Sequence, residues 1–139
     1  MNFWLFKEEP THYSYDDLVK DGSTAWEGVH NNLALKNLRQ VKKGDQIFYY
    51  HTGDEKAVVG IMKAVADAYS ADGDAPLATS KEVGVKVAPL RKLKNPVSLH
   101  EIKADPKFKD FLLVKISRLS VMPVTKEHWD EILEMSNEN

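Results

Sequence analysis

Few residues of this chain have chemistry to offer. Trp26 stands between small residues and an acid in Ala25-Trp26-Glu27-Gly28, just ahead of a stretch with helical period. A helix beginning there has unpaired N–H groups in its first turn, which suit an electron-rich partner. Trp26 is then a candidate aromatic floor for a planar ligand, and base stacking of that kind contributes about 1–3 kcal/mol. The same ring would serve equally as plain core. Trp4, Phe6, Phe48, Tyr49 and Tyr50 fall near element ends that would meet it, and most of them must be core. Glu9, Glu27 and the backbone of Trp26–Gly28 are candidate partners for the polar edge of a base. A carboxylate accepts hydrogen bonds from an exocyclic amine, so it suits cytosine or adenine better than thymine.

Catalytic templates fit badly. There is no cysteine, no GxSxG, no P-loop and no GxGxxG. His12, His30, His51, His100 and His128 include no pair at i, i+3 or i+4 that would face one metal. His51 is set apart because it ends an aromatic strand. Glu8 and Glu9 are neighbours, and in an extended chain neighbours point to opposite faces, which argues against a catalytic pair. No enzyme activity, cofactor or metal is expected. Two other readings keep the same cleft or dispense with it: an enzyme or small-molecule binder, and a protein-interaction domain. A cleft beside Trp26 would discriminate against the last.

The 139 residues suit one domain, with 42% hydrophobic and 29% charged residues. With 19 basic and 21 acidic side chains the net charge is −2, which excludes generic coating of a phosphate backbone. A local basic patch or a pocket for one base is not excluded. No apolar run approaches the roughly 20 residues of a membrane span. Met1–Lys7 lacks the basic start and small-residue cleavage site of a signal peptide, so a cytoplasmic location is expected.

The elements that must position these residues follow from pattern. Phe3–Phe6 is a buried strand, stopped by Pro10. Ser14 caps a helix over Tyr15–Lys20, with Asp16 and Asp17 in its first turn. The stretch Thr24–Arg39 leads into a helix whose Ala34, Leu38 and Val41 share a face. Gln46–His51 and Ala57–Tyr69 are strands across a polar loop, with Gly60 marking a bulge or a close approach of backbone. Residues 70–80 are loop, Glu82–Leu93 a third long strand and Leu99–Lys103 a short helix capped by Ser98. Phe111–Ile116 is expected as a strand. Thr125 caps a last helix carrying Trp129, Ile132 and Leu133. Without a repeated βαβ unit, this order argues for α+β, with five to six mostly antiparallel strands rolled into a small barrel flanked by short helices.

The sequence also resembles a known family over its whole length. Phe3-Trp4-Leu5-Phe6-Lys7-Glu8-Glu9-Pro10 followed by Tyr13-Ser14-Tyr15-Asp16-Asp17-Leu18 is similar to the opening of EVE-domain proteins. Trp26-Glu27-Gly28-Val29 with Asn31, Ala34 and Asn37-Leu38-Arg39 resembles that family's W-D-G-V-R-N motif and helix. Gly44-Asp45, Phe48-Tyr49-Tyr50-His51 and Val59-Gly60-Ile61 continue it, and Pro96–Leu99, Ile102–Ala104 and Ser117–Thr125 complete it. The resemblance implies one EVE domain over residues 1–139 with a PUA-like fold, similar to the YTH and SRA readers of modified bases. It implies a base-binding module for modified cytosine or adenine in DNA or RNA. By matching position, Trp26 would stack on the base, while Lys7 and Arg118 would hold phosphate. Glu8, Glu9, Glu27, Gly28, Asn31, Tyr50 and His51 complete the expected site. Glu8 stands where many EVE proteins have serine, and His30–Leu35 lacks two cations of the family's helix. Trp26 is expected partly exposed in a cleft, so that its loss abolishes binding and leaves the fold.

Overall fold

The computed structural model describes residues 1–138. In chain order its strands are β1 (Phe3–Glu8), β2 (Thr24–Trp26), β3 (Gln46–His51), β4 (Ala57–Ala64), β5 (Tyr69–Ser70), β6 (Val83–Ser98) and β7 (Val121–Val124). The helices are α1 (Tyr15–Asp21), α2 (Asn32–Leu38), α3 (Leu99–Ala104), α4 (Leu112–Lys115) and α5 (Lys126–Met135). The sheet runs β2-β6-β4-β3-β1-β7 with β5 beside β6, a curled half-barrel of α+β type. All pairings are antiparallel except β1 with β3.

That parallel pair sets which residues share a face. Phe6 lies beside Tyr49, Lys7 beside Tyr50 and Glu8 beside His51. Because side chains alternate along a strand, Phe6, Glu8, Tyr49 and His51 face one side and Lys7 and Tyr50 the other. On the first side Tyr15 and Trp26 pack edge-on against Tyr49. On the second, Trp129 of α5 stacks on Phe48 with ring centroids 3.7 Å apart.

Local chemistry explains the elements. Ser14 and Asp17 form a reciprocal capping box, and Ser98 with Glu101 repeats it on α3. Asp45, 2% exposed, accepts from the Trp4 indole and from the Asn2 and Lys42 backbone N–H groups, each at 2.9 Å. This carboxylate fixes the turn into β3. Gly60 is where backbone must come close: a Cβ there would lie 2.6 Å from the Tyr15 ring, and the β4–β6 register shifts beside it.

Several elements differ from expectation. Phe111–Ile116 is not a strand; Leu112–Lys115 is helical, because Phe111 C=O accepts from the N–H groups of Val114 and Lys115. A short apolar run does not distinguish the two states. The last strand is instead Val121–Val124, an edge strand that tolerates Pro123. β4 stops at Ala64, and β6 runs on past Pro89 and Pro96 to Ser98. Pro89 sits beside a register shift in the β4 pairing.

Candidate functional site

Trp26 ends β2 and is not the start of a helix. β2 pairs with β6 as Thr24↔Val87, Ala25↔Lys86 and Trp26↔Val85. The chain then turns through Gly28, whose φ of +78° suits glycine, and α2 begins only at Asn32. Asn31 is the cap of that helix, its Oδ1 accepting from Ala34 N–H at 3.0 Å. Trp26 is 7% exposed, more buried than expected, because its ring lies against Phe6 (centroids 5.5 Å) and meets Tyr49 edge-on at 5.3 Å.

A cavity of about 210 Å³ opens beside this ring. Glu8, His12, Tyr13, Thr24 and Glu27 line it together with Trp26. Glu8 Oε1 accepts from Glu9 N–H at 3.0 Å and lies 3.2 Å from His12 Nδ1. Glu27 Oε2 accepts from the Tyr69 hydroxyl at 2.5 Å. Burial first, and then this carboxylate, push the Tyr69 phenol up to about 12, so it stays a donor at neutral pH. Tyr49 donates its hydroxyl to the Tyr13 carbonyl, which ties the cavity's wall to β3. The result is a slot with an indole, two carboxylates and a histidine, suited to a planar ligand that donates hydrogen bonds.

Other expected site residues lie elsewhere. Lys7 and Tyr50 occupy the opposite face of the sheet. There Lys7 Nζ donates to Ser117 C=O at 2.8 Å and sits 5.6 Å over the Tyr50 ring. Glu9 does not line the cavity: its carboxylate packs against Gly53 and accepts from Thr11. His51 is 8% exposed, and its two nitrogens are used within the fold. Nε2 accepts from Tyr15 N–H at 3.1 Å, while Nδ1 lies 2.7 Å from Glu55. Arg118 is exposed beside the end of β1, where Lys7 N–H bonds Ser120 C=O, and forms no ion pair among the described residues. His12, Tyr13, Thr24 and Tyr69 were not among the expected site residues. Tyr69 sits at the end of a strand and touches Glu27 only through folding. Among the described residues no group of His, Asp and Glu is placed to hold a metal, and no helix is long and apolar enough to cross a membrane.

A family model for the EVE domain matches residues 2–135. Thymocyte nuclear protein 1 of Gallus gallus is 32% identical over 166 residues, covering 97% of this chain and 69% of that protein. A Rhodopseudomonas palustris protein solved by NMR is 38% identical with a TM-score of 0.90, over 99% of this chain and 94% of its own. Human THYN1, solved in complex with 5-methylcytosine-containing DNA, is 28% identical with a TM-score of 0.88, over 100% of this chain and 99% of its own. With the match running over nearly the whole length, this chain belongs to the EVE domain family.

Proposed function

We propose that this chain, as one domain over residues 1–139, is a nucleic-acid-base binding module that reads a modified base, with 5-methylcytosine in DNA the leading candidate. One observation carries the reading: the human protein of the same fold and family is solved with DNA containing that base. The cavity beside Trp26 supports it. Its volume of about 210 Å³ is room for roughly seven waters, the size of one substituted pyrimidine. Trp26 supplies the aromatic wall, and the second oxygen of Glu27 has no partner among the described residues, so it is free to accept from the exocyclic amine. Glu8 completes the polar edge. Arg118, exposed and unpaired among the described residues, holds phosphate outside the slot. The protein acts by binding and not by catalysis. Modified adenine, RNA as carrier of the base, and a cytoplasmic location belong to the same proposal.

Fluorescence anisotropy with labelled duplexes that differ in a single cytosine methyl, and with matching RNA, tests it at fixed salt. A methyl group filling an apolar recess is worth about tenfold in affinity. A preference of that size for the methylated strand is expected, with Glu27→Ala weakening binding of both strands because both carry the exocyclic amine. Equal binding of the methylated and unmethylated strands would overturn it.

A further inference from the structure

A second cavity, of about 270 Å³, lies on the face of the sheet opposite Trp26. Lys7, Lys56 and Lys103 line it, together with Tyr50, Leu99 and Leu113, and no carboxylate does. None of the three lysines forms an ion pair among the described residues. Lys7 is half-buried there, held by Ser117 C=O and the Tyr50 ring. Its burial pushes its pKa below the ordinary lysine value.

The arrangement is built by the fold. Lys56 takes a φ of +47°, uncommon for a residue with a Cβ, and its carbonyl accepts from Leu99 N–H at 2.8 Å. That bond joins the turn before β4 to the start of α3 and sets Lys56 and Lys103 on one rim. The nearby acids are occupied elsewhere. Glu55 pairs with His51, Glu9 bonds Thr11 with one oxygen and lies against Gly53 with the other, and Asp54 and Glu55 line an adjoining depression whose rim Lys56 and Lys103 share.

We propose that this cavity is a second binding site, for an organic phosphate. The phosphate oxygens would meet the ammonium groups of Lys7, Lys56 and Lys103, and the apolar part would rest on Tyr50, Leu99 and Leu113. Three compact cations with rotatable donors match a dianion that offers three oxygens, whereas a carboxylate offers two. The phosphate belongs either to a small phosphate ester or to a nucleic-acid strand, and the site stands on this geometry independently of base reading.

Phenyl phosphate is the probe, titrated into the 15N-labelled full chain by NMR. Saturable shifts are expected at the amides of Thr52, Gly53, Leu99, Leu113 and Ser117. The double variant Lys56→Gln, Lys103→Gln should weaken binding at least tenfold with an unchanged spectrum elsewhere, since both side chains are exposed and unpaired among the described residues. Absence of saturable shifts at these amides, or unaltered affinity in the double variant, would overturn the site. The same variant, titrated with 5-methylcytosine duplex against salt, names the source. A log–log slope shallower by about one unit assigns the phosphate to the strand, and an unchanged slope assigns it to a small ester. Failure of the duplex to bind would count against base reading only, because the phenyl phosphate result decides this site by itself.

Discussion

The Tyr69 hydroxyl donates to a Glu27 carboxylate oxygen across 2.5 Å, so a two-residue strand holds one wall of the Trp26 cavity. β5 pairs with β6 at Gly84, and the Tyr69 ring passes so close that a Cβ at Gly84 would sit 2.5 Å from it. Without that contact Glu27 is a surface carboxylate with several rotamers. With it, the second oxygen is aimed before a ligand arrives, and ordering costs on binding fall.

Tyr69→Phe removes one exposed hydrogen bond to a charged group and releases the Glu27 carboxylate to several rotamers. Base affinity should fall about tenfold while the melting temperature barely moves, because the bond lies at the surface. Gly84→Ala should have a similar effect by displacing the ring. Anisotropy and thermal unfolding measured on the same samples check both, and an unaltered affinity in Tyr69→Phe would remove Tyr69 from the site.

Trp26 is wedged between Phe6 and Tyr49 as well as facing the cavity. Trp26→Ala is therefore expected to lower stability by about 3–5 kcal/mol, as truncating a buried tryptophan does. Loss of binding in that variant alone would say little. Trp26→Phe keeps an aromatic surface in the core, so it should fold with a smaller deficit and still bind, with weaker stacking. Denaturant unfolding separates the two. A fully stable Trp26→Ala would mean that the ring is not part of the core.

All five tyrosines titrate above the ordinary phenol value of about 10. Burial comes first in each case: it pushes Tyr15, Tyr50 and Tyr69 up to about 12 and Tyr49 higher still, and it raises Tyr13 too. The folded chain then holds more protons than the unfolded chain above pH 10, so stability falls as pH rises. The tyrosine contribution should be intact below pH 10 and lost progressively as pH climbs through 12. Absorbance at 295 nm should show almost no phenolate at pH 10 in the native protein, and a step on adding denaturant. Half-ionisation at pH 10 without denaturant would contradict the packing.

Much of this was legible in the sequence because it is local. Ser14 with Asp17, Ser98 with Glu101, and Thr125 ahead of Trp129 mark helix starts through capping, which depends on residues three apart. Gln46–His51 is a strand with the bounds its aromatic run suggests. Gly60 signals the close approach that Tyr15 makes, although its partner lies 45 positions away and could not be named. Legibility fails where tertiary contacts decide. Phe111–Ile116 is apolar enough for either state and becomes helical in place. Motif matching gathered Lys7 and Trp26 into one site, yet the alternation that separates Glu8 from Glu9 also turns Lys7 away from Phe6. The parallel register of β1 with β3 sends it to Tyr50. Tyr69 meets Glu27 across 42 residues, and no spacing announces that.

Lys7 and Arg118 share a charge but not a setting, so their substitutions should part company. Arg118 is exposed and has no ion pair among the described residues. Its planar fork suits two phosphate oxygens at once. Arg118→Ala should weaken nucleic-acid binding and make the slope of log affinity against log salt shallower by about one unit. Its melting temperature should stay within a degree or so, since an unpaired surface cation contributes little to folding. Lys7 is half-buried, bonded to Ser117 C=O and lying over Tyr50, on the far side of the sheet from the cavity. Lys7→Ala strips the cover from Tyr50 and unties the segment ahead of β7, so it should lower the melting temperature. Affinity for the isolated base should hold. Salt titrations of both variants, paired with thermal unfolding, read the difference directly. If Arg118→Ala leaves the slope untouched while Lys7→Ala flattens it at full stability, the strand runs over the lysine face, and the phosphate track belongs there instead.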